Sequence, residues 1–268
     1  MISVLIDEIY SSKQVQYVNG KFYGNENENI SKTVLCIMVN SIAGKYRYVI
    51  AMIPCSSLNA DKQYGIYSKL LPGLCEIGFD PVATITDGNH VDHKFFKDFV
   101  CSGTLNLWVS NPCNQLIDKM FLLFDPVHIF KCFFTNFLNK EVFICPSFTL
   151  ENEFLSGNFA HIRELYELEL GKPIKMAYRL SDRVLNPASI ERTNVSLADA
   201  CFHESTINAL KYYANHGFPN FLQTANVLQI FRDWFTLLML NRYTRPNAHE
   251  KIIELLSRRT TKHPLIIW

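Results

Sequence analysis

The chain predicts an α/β fold, a mixed sheet flanked by helices and followed by a mainly helical region. Three observations carry this. Short runs rich in β-branched and aromatic residues alternate with helical spacing through the first half of the 268 residues, the pattern of strands linked through helices. The runs 33–42 and 46–54 are separated only by a turn at Gly44-Lys45, which predicts an antiparallel pair. In the second half the apolar spacing is helical.

The first strand is "ISVLIDEIY", residues 2–10. Val4, Leu5 and Ile6 suit a buried strand, but Asp7 and Glu8 interrupt it, and a buried carboxylate costs several kcal/mol unless it is paired. "VQYVNGKFYG" places Asn19-Gly20 between two short alternating runs, a hairpin signal. Asn59 is placed to cap a helix over 60–77, in which Ile66, Leu70, Leu74 and Ile77 recur at helical spacing before Gly78 ends it. "PVATITDGN" is a strand running to Asp87, 91–100 a short amphipathic helix, and 120–124 a buried strand that meets Asp125 and passes into a helix. Helices are then predicted over 159–171, over 196–217 with Ser196 as cap, and over 224–241 with Thr224 as cap. The change from apolar strands to helices near Pro146 predicts two domains, 1–146 and 147–268.

Composition narrows the function classes. Hydrophobic residues make up 48% and aromatics 13%, enough for a packed core. The net charge of +1 gives no global basic surplus, so nucleic-acid binding would need a local patch. None of the eight cysteines stands in a C-x-x-C spacing, which predicts reduced thiols and no zinc or redox motif of that kind. No basic leader or long apolar run suggests a signal peptide or a membrane span.

Three apolar strands each run into an acid: Asp7, Asp87 and Asp125. On neighbouring strands these carboxylates would converge, and converging carboxylates repel unless a cation lies between them. Oxygen donors of this kind suit Mg²⁺ or Mn²⁺. Two such ions serve phosphodiester chemistry. Each acid also has a plain structural reading. Alternation turns Glu8 to the opposite face, as a surface or paired acid. Asp87 begins a D-G-N turn. Asp125 before Pro126 fits an N-cap with proline at the first helical position. His128 and Lys131 lie three and six residues further on, close to one helical face.

The segments "SVLIDEIY", "GKYRYVIAMIP", "ITDGNHVDHKFF" and "FLLFDPVHIFKCFFTNFLN" are followed by "HIRELYELELGKPIKMAYRLSDRVLNPASIERTNVSLADACFHESTINAL". In this order they resemble the P-element transposase family, which includes the THAP-domain transposase-like proteins. The resemblance runs from about residue 2 to residue 240. It implies the N-terminal part of an RNase H-like core over 1–146 and a helical, GTP-binding-type insertion over 147–268, expected to be truncated. It implies that Asp7 and Asp87 are the first and second catalytic acids and ligands of Mg²⁺ or Mn²⁺. Asp125, His128 and Lys131 match the family's D-x-x-H-x-x-K signature as supporting residues. Lys175, Arg179, Asp182 and Arg192 become candidates for nucleotide binding, although no G-x-x-x-x-G-K-[ST] loop occurs.

There are departures. The family's third acid is a glutamate after the insertion, and no residue here matches it; Glu250 and Glu254 lack a flanking motif. The family's zinc-coordinating DNA-binding finger is not found. Cys132 and Phe134 stand where the family commonly carries Asn and Arg. The expectation is a fragment or a domesticated copy, inactive as an isolated chain. The implied activity is metal-dependent cleavage and strand transfer of DNA at transposon ends, in the nucleus, by a homo-oligomer that does not engage a membrane. The alternative is a non-catalytic, domesticated nucleotide- or protein-binding protein that keeps the RNase H-like fold.

Overall fold

The computed structural model describes residues 1–26, 29–113, 118–146 and 154–239. The chain divides into two compact units, Met1–Ile129 and Phe130–Trp268.

The first unit opens with β1 (Ile2–Tyr10), followed by the short strands β2 (Gln16–Val18), β3 (Lys21–Tyr23), β4 (Asn25–Glu26) and β5 (Asn29–Ile30). β6 (Thr33–Ser41), β7 (Arg47–Cys55), α1 (Ala60–Glu76) and β8 (Pro81–Thr86) come next. Then follow α2 (His90–Lys94), a π-helical turn Phe95–Val100, β9 (Trp108–Ser110), β10 (Lys119–Phe124) and α3 (Pro126–Lys140). The main sheet has the order β7-β6-β1-β8-β10-β9. β1 pairs antiparallel with β6 and parallel with β8, and β10 is parallel to β8. The sheet is therefore mixed, as expected. Its alternation is clean on β6, where Thr33, Leu35, Ile37 and Val39 are buried and the residues between them are half-buried. Leu35, Ile37 and Val39 join Val4, Ile6, Tyr67, Leu71, Phe95 and Phe96 in one apolar core.

Local chemistry explains the boundaries. Asn59 caps α1 by accepting from the Lys62 N–H at 2.8 Å. The Asn19-Gly20 turn has positive φ at both residues, 50° and 81°, the requirement of a type I′ hairpin. The helix expected over 91–100 is in fact α2 running into the π turn. There Phe95 and Phe96, both fully buried, turn together into the core.

The cysteine reading needs correction. Cys75 at the end of α1 and Cys113 after β9 are disulfide-bonded, with Cα atoms 5.7 Å apart. Thirty-eight residues of sequence separation concealed a proximity that only the chain path creates.

The second unit begins within α3, so Pro146 ends β11 (Val142–Pro146) inside it. β11 pairs antiparallel with β12 (Phe154–Asn158). The helices α4 (Phe159–Glu169), α5 (Asp182–Leu185), a 3-10 turn Ser189–Thr193, α6 (Val195–Cys201), α7 (Glu204–Ala214) and α8 (Phe221–Met239) follow. Their core includes Phe130, Phe134, Phe159, Phe202, Leu210 and Phe221. Phe134, at the position where an arginine was considered, is fully buried in it.

Two expectations fail here. The helix over 196–217 is broken in two, because the His203 side chain accepts from the Ser205 N–H at 3.1 Å and starts α7 anew. Asn194, not Ser196, caps α6. Thr224 is not a cap. It lies fully buried inside α8 and accepts the Asn158 N–H at 3.0 Å. Among the described residues no helix is long and apolar enough to cross a membrane.

Candidate active site

β1 and β8 run parallel, and their ladder ends with Ile6 beside Thr86. The next residue in each segment is an acid: Asp7, still within β1 and opposite Cys36 of β6, and Asp87, just past the end of β8, so the two acids lie side by side. β10 continues the row: Phe124 lies beside Thr86, and the Asp125 N–H donates to the Thr86 carbonyl at 2.7 Å. The three acids read from sequence thus lie on three adjacent strands, Asp7 inside β1 and Asp87 and Asp125 just past the ends of β8 and β10.

They differ in what they do. Ile6 is buried in the core and Asp7, on the opposite face, is exposed. Protein still surrounds enough of the Asp7 carboxyl to raise it above the usual aspartate range by desolvation, and the charge of Asp87 raises it further. A hydrogen bond from the Glu8 backbone and the nearby His128 oppose this. Asp125 spends one oxygen on capping α3, accepting from the Val127 N–H at 2.9 Å. His128, in the first turn of that helix, places Nδ1 3.1 Å from Asp87 Oδ2. The cap at Asp125 and the His128–Asp87 contact occur together in one helical turn.

A cleft of about 190 Å³ opens beside the pair, lined by Ile6, Asp7, Glu8, Asp87, Asp92 and His128 among others. Lys131 is not among its lining residues.

Sequence reasoning missed a second layer of this cleft. Asp92 is only 5% exposed. It accepts from the Gly88 N–H at 3.1 Å, the Asn89 N–H at 3.3 Å and Gln63 Nε2 at 2.9 Å. Asn89 in turn accepts from the Asp92 N–H at 3.1 Å, completing a capping box. Burial raises the Asp92 carboxyl, and these bonds partly offset the shift. The network clamps the turn immediately after Asp87. The Asn-x-x-Asp spacing was a legible capping-box signal. The partnership with Gln63, 29 residues away, was not. Gln63 is 2% exposed and lines the cleft, and its Oε1 is buried with no hydrogen-bond partner among the described residues.

Asp7 and Asp87 are the sequence-derived candidates for a divalent cation, and His128 lies beside Asp87. Among the described residues no group of three or more His, Cys, Asp or Glu is placed to hold a metal ion. Glu250 and Glu254 lie outside the described residues.

The nucleotide-binding candidates of the second unit each have a local partner. Lys175 Nζ lies 5.2 Å from the Tyr166 ring centre. Arg179 pairs with Asp199 at 2.9 Å, and Asp199 also accepts from Arg232 at 2.5 Å. Asp182 accepts from Asn186 at 2.8 Å, and Arg192 donates to Asn139 at 3.1 Å. The contacts of the four do not converge on a shared group.

Comparison with known proteins agrees with this fold. Residues 1–100 match the family described as TNP-like, RNase H N-terminal domain. No curated protein matches the chain. A chain of the Drosophila P element transposase strand transfer complex superposes with a TM-score of 0.73 at 16% identity. The match covers 99% of this chain and 60% of that one, so the present chain spans less than two thirds of its structural relative. The fold is accordingly an RNase H-like mixed sheet followed by a mainly helical part, and the carboxylate pair sits on its adjacent strands β1 and β8, Asp7 within the first and Asp87 just past the second.

Proposed function

We propose that the first unit is the metal-binding part of a DNA-processing core of the P-element transposase type. The observation that carries this reading is the side-by-side placement of Asp7 and Asp87 with His128 against the second. Their mutual repulsion and hard oxygen donors fit Mg²⁺ or Mn²⁺. Such an ion, when bound, polarises a phosphodiester and activates the attacking water or 3′-hydroxyl. The protein's own residues prepare the place. Asp7 and Asp87 present oxygens, His128 orients the Asp87 carboxylate, and Asp92 with Gln63 clamps the turn behind it. The apolar lining by Ile6, Leu35 and Leu58 keeps one wall of the cleft dry.

Two carboxylates supply few ligands for two ions, and octahedral Mg²⁺ tolerates poor geometry badly. The chain alone is therefore expected to bind the ion weakly and not to cut DNA. DNA as the partner, the nucleus as the location, homo-oligomer formation and GTP binding by the second unit all belong to this reading through the family resemblance. The match of residues 1–100 supports its first part.

The test pairs calorimetry with a strand-cleavage assay on duplex DNA in Mn²⁺. Weak Mn²⁺ binding by the parent, lost in Asp7→Ala, with no cleavage, is the expected result. No Mn²⁺ binding at all overturns the proposal and favours a non-catalytic protein that keeps the fold. Cleavage that Asp7→Ala and Asp87→Ala both abolish would show that a further acid completes the site.

A further inference from the structure

β1 and β6 pair directly from Ile2–Ser41 to Tyr10–Thr33, and the described residues 11–26 and 29–32 lie between them in the chain. The β2–β3 hairpin in this stretch is exposed at every strand position. Tyr17 is 65% exposed, Phe22 64% and Tyr23 56%. The Tyr17 and Phe22 rings, 4.9 Å apart, share one face, and Tyr23 takes the other beside Gln16. A two-stranded hairpin with apolar residues on both faces is marginal by itself, and exposed apolar clusters mark contact sites.

The root of this hairpin is nevertheless fastened. The Ser11 N–H donates to the Lys32 carbonyl at 3.0 Å, and the Ser31 N–H to the Gly24 carbonyl at 2.9 Å. Gly24 has φ +87°, and a Cβ there would meet the Gln14 carbonyl oxygen at 2.2 Å, so the chain crosses itself only with glycine. Glu26 accepts from the Ser56 N–H and Oγ, both at 2.7 Å, and pairs with Lys62. Lys62 and Gln63 are consecutive in the first turn of α1. One ties the hairpin root and the other lines the carboxylate cleft. The arm is thus held at a set place relative to Asp7 and Asp87.

Charge selects its partner. Between Ser11 and Gly24 the chain carries Lys13 and Lys21 and no acid. Exposed rings beside cations suit an anionic polymer whose flat groups are free to stack. We propose that the β2–β3 hairpin is a base-stacking arm that holds an unpaired stretch of DNA beside the carboxylate pair. This rests on the DNA-processing reading of that pair and adds the element that grips the substrate and the form of DNA it takes.

The test uses the whole chain in chelator, so that binding is read apart from metal chemistry. The probe is a single-stranded oligonucleotide carrying 2-aminopurine, whose fluorescence falls on stacking. The parent is expected to quench it. A Tyr17→Ala, Phe22→Ala double variant is expected to lose the quenching and to bind roughly ten- to a hundredfold more weakly. Tyr17→Phe should behave as the parent. Neither ring belongs to the core, so the double variant should keep the parent's circular dichroism. Unchanged quenching and affinity in the double variant overturns the proposal. So does a parent that binds no oligonucleotide, or one whose self-association the same substitutions abolish, since a second copy would then be the partner. If the arm fails while Asp7-dependent Mn²⁺ binding holds, only the arm is lost. If Mn²⁺ binding fails while the arm quenches, only the site reading is lost.

Discussion

His128 Nδ1 lies 3.1 Å from Asp87 Oδ2, and the two residues come from neighbouring segments that join only through the sheet. The contact holds one Asp87 oxygen against the imidazole, and His128 lowers the Asp7 carboxyl that Asp87 raises. His128→Ala is therefore expected to weaken Mn²⁺ binding by about tenfold, the usual scale for residues that orient metal ligands. Calorimetry on parent and variant at one pH measures it. An unchanged affinity would show that the imidazole does not orient the site.

Asp92 is expected to matter for both folding and metal binding. Its carboxylate accepts three hydrogen bonds in a buried setting, and removing it leaves donors without partners. Asp92→Ala should cost about 2 to 3 kcal/mol in urea unfolding and loosen the turn that carries Asp87. Asp92→Asn should recover part of the stability. Equal stability of the alanine variant would deny the clamp.

Glu26 sets a pH dependence. Its bond to Lys62, then those from Ser56, hold its carboxyl well below the usual range, at about 2. A lowered carboxyl stabilises the hairpin root above the unfolded value of 4.5, and that contribution is lost as pH falls toward about 2. The amide resonance of Ser56 should titrate through this window in the parent and stay flat in Glu26→Gln. A flat response in the parent would contradict the assignment.

Thr224 is expected to anchor the second unit. Its hydroxyl accepts the Asn158 N–H and lies 2.8 Å from His161 Nδ1, although it sits inside α8. Thr224→Val keeps the shape and removes both contacts. The expected loss is about 1 to 2 kcal/mol, read by urea unfolding. No loss would mean that the Asn158 amide finds another acceptor.

Much of the first unit was legible because its signals are local. Val4 and Ile6 alternate into the core, Asn19-Gly20 turns the hairpin, and Asn59 caps α1, each through contacts within a few residues. The second unit was less legible. A long apolar pattern over 196–217 conceals the break at His203, since a side-chain cap competes with helix continuation without altering the apolar spacing. Thr224 looked like a cap because threonine favours that position, and its distant partner Asn158 could not be seen.

By itself the sequence determined that three apolar runs meet Asp7, Asp87 and Asp125, and that a helix starts after Asp125. The burial pattern and the proline at the first helical position are written in neighbouring residues. Only the tertiary structure decided which of these acids stand together. Parallel pairing of β1 with β8 sets Asp7 beside Asp87. The N-cap commits one oxygen of Asp125 to the Val127 N–H. Gln63 reaches Asp92 across 29 residues. Those outcomes depend on strand register and on long-range hydrogen bonds, which no local pattern encodes.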